Sequence, residues 1–191
     1  MNALRFVARR VTWALLVVFV VITATFVAME AVAWATHKYV MHGLLWSLHK
    51  DHHHKDHHST LERNDWFFVI FALPSMALFI LGGQLGAHTP WGWMGLGILL
   101  YGIAYFLVHE VFIHRRLPWF RDTRNAYLLA ARRAHKMHHK HLGREHGECF
   151  GMLVFPFRFL REMRRGRSNS EAQPQGQASM RMGTSTSGGL R

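Results

Sequence analysis

Three long stretches of the chain carry almost no charge, and the polar residues lie between and after them. The first runs from about Val11 to Trp34 with Glu30 as its one charged residue. The second, Trp66 to Gly86, and the third, Trp91 to Val108, have none. At 1.5 Å rise per residue, segments of about 18 to 24 residues reach roughly 27–36 Å, enough for a hydrocarbon core of about 30 Å. Each is expected to be a transmembrane helix. Trp66, Trp91 and Trp93 fall at the expected ends, where amphipathic rings favour the interface. The link Ala87-His88-Thr89-Pro90 is too short for anything but a tight turn, so the second and third spans form a helical hairpin. Pro74 interrupts the second span, where neighbouring helices compensate for a lost backbone bond. Gly82 and Gly86 make a GxxxG, a weak packing signal. A fourth apolar stretch, Phe150 to Leu160, is short and broken by Pro156 and Arg158. It reads as an interfacial or re-entrant piece, with a fourth span as the alternative.

The hairpin puts residues 36–65 and 109–191 on the same side of the membrane. Residues 1–10 hold three Arg, residues 36–65 four Lys or Arg, and residues 109–191 sixteen. Basic residues concentrate on the cytoplasmic side, so the histidine-rich side and the C terminus are expected there and the N terminus outside. The three N-terminal arginines oppose this mildly. From Gly166 the chain turns to Ser, Gly, Gln, Thr and Arg without periodicity. The expectation is a membrane-embedded domain over residues 1–165 and a disordered basic tail over 166–191, the arginines from Arg161 onward lying near anionic lipid. No secretory cleavage pattern follows the first span, which is expected to be retained.

Composition sharpens this picture. The mean hydropathy of the 191 residues, +0.01, resembles that of a soluble protein and conceals the segregation. The net charge is +12 with histidine neutral. An excess of that size suits nucleic acid or an anionic membrane face, and the apolar segments decide for the membrane; no nucleic-acid partner is expected. The single cysteine, Cys149, excludes an internal disulfide framework.

Sixteen histidines are the second anomaly, and they cluster in two similar pairs. His37-Lys-Tyr-Val-Met-His42 precedes His49-Lys-Asp-His52-His53, and His109-Glu-Val-Phe-Ile-His114 precedes His135-Lys-Met-His138-His139. HX4H thus comes before HX2HH twice, each time from the end of a span. On a helix, positions i, i+3 and i+4 fall within an arc of about 100°, so His49, His52 and His53 can converge on one point, as can His135, His138 and His139. The HX4H residues are about 140° apart on an ideal helix. That suits imidazoles reaching different metals, or a helix distorted at its end. Neutral imidazole suits Fe, Zn, Cu and Ni. Ten such residues exceed one ion's needs and match two ions with open positions.

His54, His57 and His58 repeat the HX2HH pattern within the run 49–58. The register starting at His49 is preferred because it leaves a shorter connection to His42. His54, His57, His58, His141 and His146 are expected to be outlying or solvated, and His88 sits at the other end of the hairpin. Acids are scarce. No ExxH pair of the soluble di-iron type occurs, and His109-Glu110 reaches His114 one residue late for HExxH. Glu30 lies two helical turns before His37, on the same face, and is expected to pair with a ligand imidazole rather than mark a channel. Asp51, Asp56, Asp65 and Glu110 can orient imidazoles likewise or be solvated charges. The glycines at 92, 95 and 97 lie in an apolar span and form no nucleotide cradle, and no multi-cysteine motif supports haem or an iron–sulfur cluster. Any electrons must come from another protein.

The sequences HKYVMHG (37–43), WSLHKDHH (46–53), VHEVFIHRR (108–116) and AHKMHHK (134–140) resemble the bacterial β-carotene hydroxylases of the fatty acid hydroxylase/sterol desaturase superfamily. The similarity covers about residues 25–157, including GECFGMLVFP at 147–156. It implies an all-α integral membrane protein of three to four transmembrane helices in the bacterial inner membrane, with a cytoplasmic, histidine-rich helical cap holding a dinuclear metal site. The implied reaction is O2-dependent 3-hydroxylation of β-ionone rings, from β-carotene through β-cryptoxanthin to zeaxanthin. It requires two non-haem irons and electrons from ferredoxin or a similar donor protein. The family's ten histidines match His37, His42, His49, His52, His53, His109, His114, His135, His138 and His139, which supports the preferred register; the extra HKDHH at 54–58 and His146 are departures. Desaturases, fatty acid or sterol hydroxylases and carotenoid ketolases share this chemistry. A redox-inert zinc hydrolase and a metal transporter with His49–His58 as a capture loop are the readings of other classes; a transporter should carry polar ligands at mid-span.

Overall fold

The computed structural model describes residues 2–54 and 61–172, and the regular structure among them is all helical. Helix α1 spans Asn2–Ala35 and runs into a π-helical segment, Thr36–Leu44, before α2, Trp46–His53. A 3-10 turn, Arg63–Asp65, starts α3, Trp66–Leu85. Helix α4, Trp91–Phe106, continues as a second π-helical segment, Leu107–Ile113. Helices α5, Ala126–His138, and α6, Phe157–Ala172, follow.

Three stretches, Arg5–Leu44, Arg63–Leu85 and Trp91–Ile113, are long and apolar enough to cross a membrane. Their outer faces are bare hydrocarbon, with Leu15, Phe19, Leu73 and Ile80 all exposed, as lipid-facing surface requires. The first helix is longer than its apolar stretch and continues back to Asn2, because residues 2–10 contain good helix formers and neither Gly nor Pro. The fourth apolar stretch is not a span: residues 147–156 are irregular and α6 begins at Phe157. Helix α6 also runs through the expected boundary at Gly166 to Ala172, since one glycine costs an otherwise favourable helix only about 1 kcal/mol. Residues 173–191, where the rest of the expected tail falls, lie outside the described residues.

Helix α4 is the centre of the membrane part and packs against both α1 and α3. Glycines allow the close approach. A Cβ on Gly82 would lie 2.5 Å from the Gly92 backbone nitrogen, and one on Gly97 would lie 2.7 Å from Thr25 Cβ and 2.8 Å from the Ile22 carbonyl oxygen. The α3–α4 contact also holds a buried hydrogen bond in which Ser75 Oγ donates to the Gly95 carbonyl, 2.8 Å. Replacing Gly97 with valine is expected to overpack α1 against α4 at a cost of about 1–3 kcal/mol. The thermal midpoint in detergent should fall; an unchanged midpoint would show that the two helices part freely.

Because α4 lies against both neighbours, an apolar cavity of about 510 Å³ opens between the spans, with walls from α1 (Met29, Ala33), α3 (Phe67, Phe71) and α4 (Ile98, Tyr101). At one end it reaches Met41, Asn64 and Leu107, where the helices leave the apolar region. On that side, α5 packs on α6 through Ala130, Ala134 and Phe159. Arg132 fastens α5 to the end of the α4 extension by donating to the Phe112 carbonyl, 2.7 Å, with its guanidinium over the Phe112 ring.

Candidate metal centre

The HX4H pairs are placed by the π-helical segments. In a π turn the bond closes from residue i+5 back to residue i, as from His114 N to the His109 carbonyl (2.9 Å) and from Leu45 N to the Val40 carbonyl (2.8 Å). Residues five apart then lie nearly above one another instead of about 140° apart. The Nε2 atoms of His109 and His114 are 3.2 Å apart, and the His37 and His42 ring centroids are 5.3 Å apart. The distorted helix end is the correct one of the two expectations. Gly43 (φ −111°, ψ −109°) then leaves helical geometry and swings α2 back over the cavity end.

Two groups of imidazoles result. His37, His42, His49, His53 and His138 form the first; His52, His109, His114 and His135 form the second. Within each, one nitrogen per residue lies within 4.8 Å of all the others. The tenth expected histidine, His139, joins from the side, its Nε2 2.7 Å from that of His135. The HX2HH triplets do not converge on single points as expected. In α2, His49 and His53 belong to the first group and His52 to the second; in α5, His138 belongs to the first and His135 to the second. Positions i+3 and i+4 fall on opposite sides of i, about 100° apart, so a helix lying across two adjacent sites feeds both.

The hydrogen bonds around the rings define their chemistry. In the first group Nδ1 donates to the Phe150 carbonyl from His37 (3.0 Å), to the Arg144 carbonyl from His42 (3.2 Å) and to Asn64 Oδ1 from His49 (2.7 Å). It donates to the His141 carbonyl from His53 (3.1 Å) and to the Glu148 carbonyl from His138 (2.9 Å). In the second group His52 donates to Glu62 Oε2 (2.7 Å) and His109 to Glu110 Oε1 (2.6 Å). Each of these oxygens is an acceptor, so each ring carries its proton on Nδ1 and leaves a lone pair on Nε2. Those lone pairs face each other: His37 to His49 at 3.2 Å, His53 to His49 at 3.2 Å, His42 to His138 at 3.2 Å, and His52 to His109 at 3.3 Å. Lone pairs at such distances repel unless a cation lies between them.

Protons do not fill that role near neutral pH. Burial above all, reinforced by the neighbouring imidazoles, pushes His49 down to about 3, His53 to about 4 and His138 to about 2. It holds His52, His135 and His139 far below the ordinary histidine range for the same reasons. An all-nitrogen set of neutral imidazoles, seven of them fixed from behind through Nδ1, fits two divalent transition metals.

The model of the fatty acid hydroxylase family matches residues 22–157. The chain belongs to the fatty acid hydroxylase family. Within that similarity, the β-carotene hydroxylase of a Paracoccus species is 37% identical over 139 residues, covering 72% of this chain and 84% of the relative. That of Pantoea ananas is 39% identical over 144 residues, 75% and 78% of the two chains. The chloroplastic β-carotene 3-hydroxylase of Haematococcus lacustris is 39% identical over 134 residues, 67% of this chain and 40% of the longer relative. No solved structure matches the chain.

In this family member Glu110 orients His109, as the sequence allowed, but Glu30 does not sit where the sequence placed it. Glu30 touches no imidazole. Its carboxylate accepts from the backbone N–H groups of Met152 (2.9 Å), Leu153 (3.0 Å) and Val154 (2.8 Å) and from the Tyr101 hydroxyl (2.7 Å). It faces the returning loop, whose bare amides compete for it more strongly than a ring already satisfied by a carbonyl. Two residues of that loop region, Glu148 and Phe150, offer the carbonyls that hold His138 and His37, and Cys149 between them has a left-handed φ of 60°. Asp51 accepts from Arg63 N (2.7 Å), as the 3-10 turn presents that amide to α2. Asp65 accepts from Glu62 N (3.0 Å) and from Arg116 Nη1 (2.8 Å).

Glu62, Asn64 and the four backbone carbonyls were not legible beforehand. Only the cluster LERND just before the second span hinted at the first two. His141 contributes its carbonyl, His146 and His88 are exposed, and His54 ends α2 outside both groups. His57, His58 and Asp56 lie outside the described residues.

Proposed function

We propose that the protein hydroxylates β-ionone rings at C3, converting β-carotene through β-cryptoxanthin to zeaxanthin, as a di-iron oxygenase of the bacterial inner membrane. The observation that carries this reading is the apolar cavity, two of whose lining residues, Asn64 and Tyr105, contact His49 and His109. No charged side chain lines it, and three of its polar groups are engaged elsewhere: Ser75 Oγ donates to Gly95, the Tyr101 hydroxyl to Glu30, and Asn64 Oδ1 accepts from His49. Such a space offers mainly hydrocarbon contact and no charged partner for an acyl carboxylate, which favours a polyene over a fatty acid. Tyr105, on the cavity wall, has its ring centroid 5.0 Å from that of His109, so a ring pushed to the end of the cavity comes next to the second group.

The ten histidines would hold two irons, His139 among them. Bound there, iron supplies redox chemistry that couples dioxygen, two electrons and two protons to conversion of C–H into C–OH and water. The protein's part is to keep each imidazole neutral and aimed, exclude water with the apolar walls, and admit substrate sideways from the bilayer. The basic excess of residues 109–191 supports a cytoplasmic position for the centre and the C terminus, where a ferredoxin-like donor protein can deliver electrons. A transport reading lacks mid-span ligands, as Glu30, the acid of the first span, is occupied by backbone amides.

Expression in β-carotene-accumulating bacteria tests the proposal. Pigments gaining one and then two oxygens are expected; unaltered pigment in iron-replete cells with well-inserted protein would overturn it. Blocking the cavity gives a finer check. Gly102 lines it, and a Cβ there meets nothing within 4 Å. Gly102→Phe should fill the space without strain and cut turnover about tenfold or more with metal content unchanged. Wild-type turnover would place the substrate elsewhere.

A further inference from the structure

The two groups of imidazoles are backed by different chemistry. All five histidines of the first group donate Nδ1–H to neutral oxygens, four peptide carbonyls and one side-chain amide. In the second group His52 and His109 donate to carboxylates, at 2.7 and 2.6 Å. Those carboxylates belong to a network. Arg116 reaches Glu62 at 3.3 Å, Glu110 at 2.9 Å and Asp65 at 2.8 Å. Among the described residues one guanidinium faces three carboxyl groups, which leaves negative charge in excess beside the second group. Beside the first group stands a cation instead: Arg144 Nε donates to the carbonyl of His42 at 3.0 Å.

A carboxylate behind an imidazole raises the basicity of the ring's other nitrogen, and net negative charge nearby stabilises a bound dication. A peptide carbonyl does the first weakly and the second not at all. On these grounds we infer that the two metal sites are unequal: the second group, backed by Glu62 and Glu110, binds a divalent metal more tightly and fills first. Arg116 is the positioning residue of that difference. It fixes both carboxylates while leaving them in excess. Asn64 is its counterpart in the first group, the neutral partner at the place where a carboxylate would equalise the sites.

The inference rests on the reading that both groups hold metal, and one experiment separates the two. The metal-stripped full chain in detergent is titrated with Zn2+ against a chelating indicator. Two binding steps are expected, with dissociation constants about tenfold or more apart. Glu62→Gln and, independently, Glu110→Gln keep an acceptor oxygen and should weaken the tighter step about 10- to 100-fold while leaving the weaker one in place. Asn64→Asp should tighten the weaker step and bring the two together. Two equal steps in the wild type, or glutamine variants that weaken only the looser step, would overturn the inference and leave the two-metal reading standing. Absence of Zn2+ binding would overturn both.

Discussion

His138→Ala is expected to reduce zeaxanthin formation to below about one per cent of wild type while the protein still inserts into the membrane. His138 is fully buried, with its Nδ1 held by the Glu148 carbonyl and its Nε2 3.2 Å from that of His42. Losing residues that merely orient a metal ligand costs about 10- to 100-fold, and losing the ligand itself should cost more. Alanine is the best helix former and sits in α5 without harm, so the loss should arise at the centre and not from unfolding. Pigment analysis gives the first readout, and metal content of the purified variant, down by one ion per chain, the second. Substantial turnover would remove His138 from the ligand set.

Glu30→Leu is expected to be nearly as damaging, although the residue touches no imidazole. It leaves three backbone N–H groups and the Tyr101 hydroxyl without their acceptor against an apolar wall, at roughly 1–3 kcal/mol for each that finds no other. The loop that Glu30 holds then loses its anchor, and with it the Phe150 and Glu148 carbonyls that aim His37 and His138. Metal content should therefore fall from two ions toward one, with the first group emptied. Glu30→Gln keeps one acceptor oxygen and should retain part of both metal and activity. Full metal content in Glu30→Leu would show that the loop stays in place without the carboxylate.

Much of the site was legible because spacing and chemistry agreed. Nine of the ten expected histidines lie in the two groups, and the register beginning at His49 is the one α2 presents. Glu110, beside His109 in the chain, was within reach of sequence reasoning because a neighbour in sequence is a neighbour in space. Glu62, ten residues from His52, and the carbonyls of residues 141–150, about a hundred residues from His42 and His53, were not. Backbone carbonyls carry no residue signature, and which of them faces a ring depends on how an irregular loop lies against its neighbours.

The amino-acid sequence by itself determined the three spans, their hairpin and the gathering of imidazoles at one membrane face, because apolar run length and helical spacing are local properties. Only the tertiary structure decided which histidine joins which group. The π turns that align His109 with His114, and the crossing of α2 and α5 over both sites, arise from packing between elements far apart in the chain. The same packing turned Glu30 away from the imidazoles and toward the loop, where three unpaired amides in an apolar setting needed its charge.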